Sequence, residues 1–234
     1  MGRRHRHLNP RDLGAVRCYE APFLGGFADA ASVGTWTDRC GTANATQATG
    51  GNQPTFRTNQ FGGQPVVRFD GANDIMTFTS TAGSAMSFIA ARRDSVAGGV
   101  VLGIDKGNQG LPNVQYLRNY LSKSLAYSEP PNTTLFQSAN NTTTTTASIN
   151  LQSYTTNSPM QFWDNGASIG QSASNWTGTQ GVNSIGAIRI SSTILVPLNG
   201  DVGGVSVFMS NIAGTPIQKR MQHHLAFLFK IPCS

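Results

Sequence analysis

The chain has 234 residues, of which 17 are Lys or Arg and 11 are Asp or Glu, so it carries a net charge of +6 although only 12% of it is charged. With 38% hydrophobic residues, among them 12 Phe, 5 Tyr and 3 Trp, it has the apolar surface for a real core, which excludes a disordered chain and points to one large domain or two cramped ones. Thr, Ser, Asn, Gln and 26 Gly take the place of charge, a composition of uncharged strand faces and tight turns, and no apolar run approaches the roughly 18 residues of a membrane-spanning helix.

Arg3, Arg4, Arg6 and Arg11 fall in the first eleven residues, with no acid among them. Residues 1–11 therefore read as a basic arm ahead of a single domain over 12–234. Such an arm is either a solvated terminus or a tether that docks on an acidic partner surface through guanidinium–carboxylate bonds. Nucleic acid is not the expected partner, because no basic-aromatic pattern continues into the body. The segment lacks the apolar stretch and cleavage site of a signal peptide, so export by that route is not expected. Cys18, Cys40 and Cys233 form an odd set without zinc spacing, which favours free structural thiols over a Cys18–Cys40 bridge.

From Val66 onward, short β-type runs alternate with turn signals. They fall at Val66–Phe69, Ile75–Thr79, Met86–Ala91, Val100–Ile104, Asn113–Leu117, Ser124–Tyr127, Thr134–Gln137, Ala147–Tyr154, Met160–Trp163, Ile185–Ile190 and Gly204–Met209. About a dozen strands without intervening helices predict an all-β, two-sheet antiparallel jelly-roll sandwich. Asp164-Asn165-Gly166 has the chemistry of a hairpin turn. One helix closes the chain: Thr215 caps it, Pro216 suits its first position, and Ile217, Met221, Leu225 and Leu228 line one face, which should pack on the sandwich flank.

Catalytic motifs are weak. Gly166-Ala-Ser168-Ile-Gly170 spells G-x-S-x-G, but an Asn-Gly turn precedes it and the polar run Gln171–Asn175 follows, where a nucleophile elbow needs a buried strand and then a helix. His223 and His224 are adjacent on the helix and point about 100° apart, so they do not chelate as an i, i+4 pair would and read as surface or core-edge residues. Glu20 and Glu129 are the only glutamates, and neither has a nearby carboxylate for paired-acid glycoside chemistry. The expectation is no enzyme. Asp70 and Asp74 form a close acidic pair, read first as turn chemistry and otherwise as a weak calcium site; no other cofactor is expected. Tyr120, Tyr127 and Trp176 lie in or beside polar segments and are candidate sugar-stacking residues, whereas Trp163, inside a strand, reads as core.

The runs Val33-Gly-Thr-Trp-Thr-Asp-Arg-Cys-Gly41, Gln53-Pro-Thr-Phe56 and Gly63-Gln-Pro-Val-Val-Arg-Phe-Asp-Gly-Ala-Asn-Asp74 resemble the concanavalin A-like lectin/laminin G-like jelly-roll family. Leu8–Leu13 with Tyr19–Ala21 is similar to its first strand, and Gly200–Phe208 with the following helix to its closing elements, so the resemblance spans residues 8–234. Gly204 stands where the family commonly has an acid, and Cys40 where it often has Ser. The resemblance implies binding and architecture rather than chemistry. A stand-alone jelly roll without a signal peptide suggests a tailed-phage virion surface protein: a capsid decoration, fibre or tail component, homo-oligomeric, assembled in the host cytoplasm and attached to a larger protein assembly. The alternative is an extracellular carbohydrate-binding module that recognises cell-surface glycans.

Overall fold

The computed structural model describes residues 8–95, 99–103, 117–120, 123–127, 135–137, 146–176, 180–190 and 193–234. In chain order the strands are β1 (Ala15–Glu20), β2 (Thr35–Trp36), β3 (Ala45–Thr46), β4 (Thr55–Phe61), β5 (Gln64–Asp70), β6 (Met76–Gly83), β7 (Ala85–Asp94), β8 (Val100–Gly103) and β9 (Leu117–Tyr120). They continue as β10 (Lys123–Tyr127), β11 (Leu135–Gln137), β12 (Ser148–Thr155), β13 (Ser158–Asp164), β14 (Ala167–Trp176), β15 (Gln180–Ile185), β16 (Ile188–Ile190), β17 (Thr193–Leu195) and β18 (Asn199–Phe208), before helix α1 (Pro216–Phe229). One sheet has the order β14-β13-β12-β7-β18-β5-β4, with β1 also paired to β18, and the other has β11-β10-β9-β8-β15-β6-β3-β2. Both are antiparallel.

Period-2 patterning sorts the side chains of the first sheet between two cores. On β7, Met86, Phe88 and Ala90 join the core between the sheets, which also holds Tyr19, Trp36, Phe69, Phe78, Val205 and Phe162. Ile89 and Ala91 face the other way, into a second core with Ile149, Leu151, Phe208 and the Met221, Leu225 and Leu228 face of α1. β7 and β18 are thus covered on both faces, which is why both read as nearly continuous buried runs.

The helix starts and packs as its sequence predicts: the Thr215 side chain accepts from the Gln218 amide and Pro216 opens the first turn. Its close approach depends on two adjacent glycines of β18. A Cβ on Gly203 would meet the Phe229 ring at 2.7 Å, and one on Gly204 would lie 3.3 Å from Glu20 Cγ and 3.6 Å from Leu225 Cδ2. Here, then, Gly204 serves as clearance for the helix.

Two expectations need correction. Cys18 and Cys40 form a disulfide, with Cα atoms 5.2 Å apart. Asp38 brings them together: its Oδ1 accepts from the amides of both Cys18, at 3.0 Å, and Cys40, at 2.9 Å, while the Arg39 amide donates to the Cys18 carbonyl. Sequence spacing carries no trace of that clamp. The run Ile185–Ile190 is not one strand, because Gly186 turns at φ 90° and separates β15 from β16. The polar run after Gly170 belongs to edge strand β14. There Ile169 and Ser172 point inward, and Ser172 Oγ accepts from the Met160 amide at 2.9 Å.

Candidate functional site

A cavity of about 200 Å3 opens between the first half of α1, the outer face of β13 and the hairpin turn that follows it. Trp163, Gly166, Lys219, Gln222, His223 and Ser234 contribute to its wall. Trp163 is on the outward register of β13, opposite Ser168 of β14, so its indole packs partly on the helix-side core and stays half-exposed. The turn next to it is Asn165-Gly166, with φ of 48° and 90°, the left-handed pair expected of Asn-Gly. That turn captures the tail: the Ser234 amide donates to the Asn165 carbonyl at 2.9 Å and the Ser234 hydroxyl donates to it at 3.1 Å. A Cβ on Gly166 would meet the Ser234 main-chain oxygen at 2.2 Å, so this wall requires glycine.

The helical wall is polar where an amphipathic pattern would place apolar residues. Gln218 and Gln222, one turn apart, are both buried. The Gly214 amide donates to Gln218 Oε1 at 2.6 Å, which identifies the other end of that carboxamide as nitrogen; Gln218 Nε2 then donates to Gln222 Oε1 at 3.1 Å. The relay leaves Gln222 Nε2 as a buried donor with no acceptor. Lys219 and His223, on the neighbouring face, are exposed. Among the described residues, no carboxylate pairs with Lys219.

Other polar clusters are structural in geometry. Inside the sandwich, Arg92 pairs with Asp94 and donates through Nε to Asn150 Oδ1 at 2.5 Å, and Asn150 Nδ2 donates to Asp164 Oδ1 at 2.8 Å. Burial raises the Asp94 carboxyl, against the opposing pull of Arg92. On the outer face of the same sheet, Asp201 is gripped by Arg68 and Arg93 from the flanking strands. Cys18, Asp38 and Cys40 place three ligand-type atoms within 4.8 Å of one another, but the two sulfurs are bonded to each other and offer no thiolate.

Of the residues singled out from sequence, Asp70 and Asp74 do meet. Asp70 Oδ1 accepts from the amides of Ala72, Asn73 and Asp74, and Asp74 Oδ2 accepts from the Asp70 amide at 2.9 Å. This is turn chemistry, and it accounts for one oxygen of each carboxylate. Burial, then the charge of Asp70, raises the Asp74 carboxyl to about 6. Arg11 is exposed in a 3-10 turn, Pro10–Leu13, capped by the Asn9 side chain; Arg3, Arg4 and Arg6 lie outside the described residues. Tyr120, Tyr127 and Trp176 are the last residues of β9, β10 and β14, and their side chains lie outside the described residues. His224 is buried against Glu20, while the adjacent His223 faces the cavity. Ser168 sits on β14 with no helix behind it, its Oγ accepting from the Gly170 amide at 3.4 Å.

The cavity was not anticipated. Trp163 reads as core within an apolar strand, and only its register turns it outward. The available signal was the i, i+4 glutamine pair on the otherwise apolar side of the helix.

By sequence, no protein-family model and no curated protein matches the chain. Solved structures do match by fold. Domain 4 of AbnA, an extracellular arabinanase from Geobacillus stearothermophilus in complex with arabinotriose, superimposes with a TM-score of 0.57 at 10% identity, over 92% of this chain and 98% of that one. Trypanosoma rangeli sialidase in complex with sialic acid gives 0.56 at 10% identity, over 92% of this chain but 33% of that one. A mutant of NanB sialidase from Streptococcus pneumoniae gives 0.46 at 12% identity, over 64% of this chain and 26% of that one. The chain thus spans about a quarter to a third of the sialidases it matches. At these identities the likeness is one of fold alone, an antiparallel β-sandwich.

Proposed function

We propose that the chain is a non-catalytic carbohydrate-binding domain. The observation that carries this reading is the union, in one cavity, of the half-exposed Trp163 indole and the buried Gln222 amide donor. Sugars are recognised by ring faces stacked on their apolar C–H surfaces and by a few oriented polar groups. The fold likeness supports it, since the arabinanase domain matched along nearly its whole length is one seen with arabinotriose. We take the sandwich to be a concanavalin A-like jelly roll, as the motif resemblance implies. Buried acids support the absence of catalysis: Glu20, Asp94 and Asp201 each serve as counterion to an arginine. The Cys18–Cys40 bridge favours an oxidising, extracellular setting over assembly of a virion in a cytoplasm, and none of the matched structures described above is a virion component.

The test is a glycan array probed with the labelled full chain, followed by calorimetry on each hit and by product analysis of the same glycans after long incubation. Saturable binding with the glycan recovered intact is the expected result. An array without a hit, or a glycan cleaved by the wild type, overturns the reading.

A further inference from the structure

We propose that the cavity between α1 and the β13–β14 hairpin selects an acidic sugar, a saccharide unit bearing a carboxylate; this rests on the carbohydrate-binding reading above. The hydrogen-bonding balance of the helical side of the cavity is lopsided. Both carboxamide oxygens are already in use, Gln218 Oε1 by the Gly214 amide and Gln222 Oε1 by Gln218, and what remains is a donor, Gln222 Nε2. A buried donor without an acceptor costs on the order of 1–3 kcal/mol, which an acceptor brought by a ligand would recover. The relay also fixes the polarity of the wall: flipping Gln218 would set its nitrogen against the Gly214 N–H and its oxygen against Gln222 Oε1, and flipping Gln222 would set nitrogen against nitrogen.

Charge points the same way. Lys219 and His223 are exposed lining residues, none of the side chains lining the cavity is acidic, and the main-chain oxygen of Ser234 lies on the opposite wall, against Gly166. Lys219 has no carboxylate partner among the described residues, so its ammonium is free to take one from solution. A neutral sugar would use the Trp163 face but leave the cation unmatched. A carboxylate supplies oxygen acceptors and compensates the charge, while the ring behind it packs on the indole. The volume, about 200 Å3, suits a single saccharide unit rather than a chain, so the acidic unit is expected to be terminal.

Two probe pairs test this with the full chain: 3′-sialyllactose against lactose, and oligogalacturonides against their methyl esters. Calorimetry on wild type, Lys219→Met and Trp163→Ala is run at low and high salt. Lys219 is exposed, so its replacement leaves the fold intact and shows the electrostatic contribution alone. The wild type should bind at least one acidic probe roughly tenfold more tightly than its neutral counterpart, with the preference lost in Lys219→Met and reduced by salt. Trp163→Ala should weaken both members of a pair. Equal affinity for acidic and neutral probes, with binding still lost in Trp163→Ala, overturns the acidic selection and leaves the cavity as a sugar site. Glycan binding that neither substitution changes overturns the cavity but leaves the carbohydrate-binding function standing. If neither the probes nor an array is bound, both fall together.

Discussion

His224 Nε2 lies 2.5 Å from Glu20 Oε1, so a single hydrogen bond joins α1 to β1 across 204 residues of sequence. The other oxygen of Glu20 pairs with Arg39, whose guanidinium lies over the Phe23 ring, 3.5 Å from its centroid. The carboxylate already has its counterion, so the imidazole serves as a neutral donor. Burial first, and the Arg39 charge second, hold His224 down at about 4.

That depression sets a pH dependence. Between about 4 and 6.5 the unfolded chain protonates His224 and the folded one does not, so this residue makes stability rise with pH across the window and lose ground as acid is added. His224→Gln should remove that contribution, so that the variant loses less than the wild type, or even gains, as pH is lowered from 7 to 4.5. Urea midpoints at pH 4.5 and 7 measure it, and an unchanged difference between the two would assign the slope to other groups.

Asp74 acts in the opposite direction over nearly the same range. Its carboxyl is raised to about 6, so the folded chain holds the proton longer than the unfolded one, and stability falls as pH rises from about 4 to 6. Asp74→Asn keeps an acceptor for the Asp70 amide and removes the buried charge. The variant should gain on wild type at pH 7 and show no gain at pH 4, as read by denaturant midpoints.

Removing the Cys18–Cys40 bridge frees a loop with a sequence separation of 22. Chain-entropy arguments put the loss at about 2–4 kcal/mol for Cys40→Ser or for the reduced protein. Equilibrium denaturation with and without reductant tests this, and the protein should resist modification by thiol reagents at those two positions until reduced.

Leu225→Ala should cost about 2–5 kcal/mol, because the side chain is fully buried between α1 and the outer face of the β7–β18 sheet, beside Gly204. A loss below about 0.5 kcal/mol would mean that the helix contributes little to the folded state.

Local patterning determined much of this protein in advance. The β-type runs Met86 to Ala91 and Ala147 to Tyr154, the Asn165-Gly166 turn, and the Thr215-Pro216 start with Met221, Leu225 and Leu228 following at helical spacing are readable residue by residue, because each reflects local residue preference or a backbone period. The two sheets and the closing helix follow from them. Tertiary structure decided what depends on register and on partners distant in sequence. Whether Trp163 faces the core or the solvent changes with a one-residue shift of β13, since successive strand side chains take opposite sides. Cys18 meets Cys40 because one carboxylate, Asp38, collects both amides. Glu20 finds His224 only once β1 pairs with β18 and the glycines of β18 let the helix approach. The cavity lies where three such long-range placements coincide, the β13 register, the tail on Asn165 and the glutamine relay of α1, and no stretch of sequence holds all three.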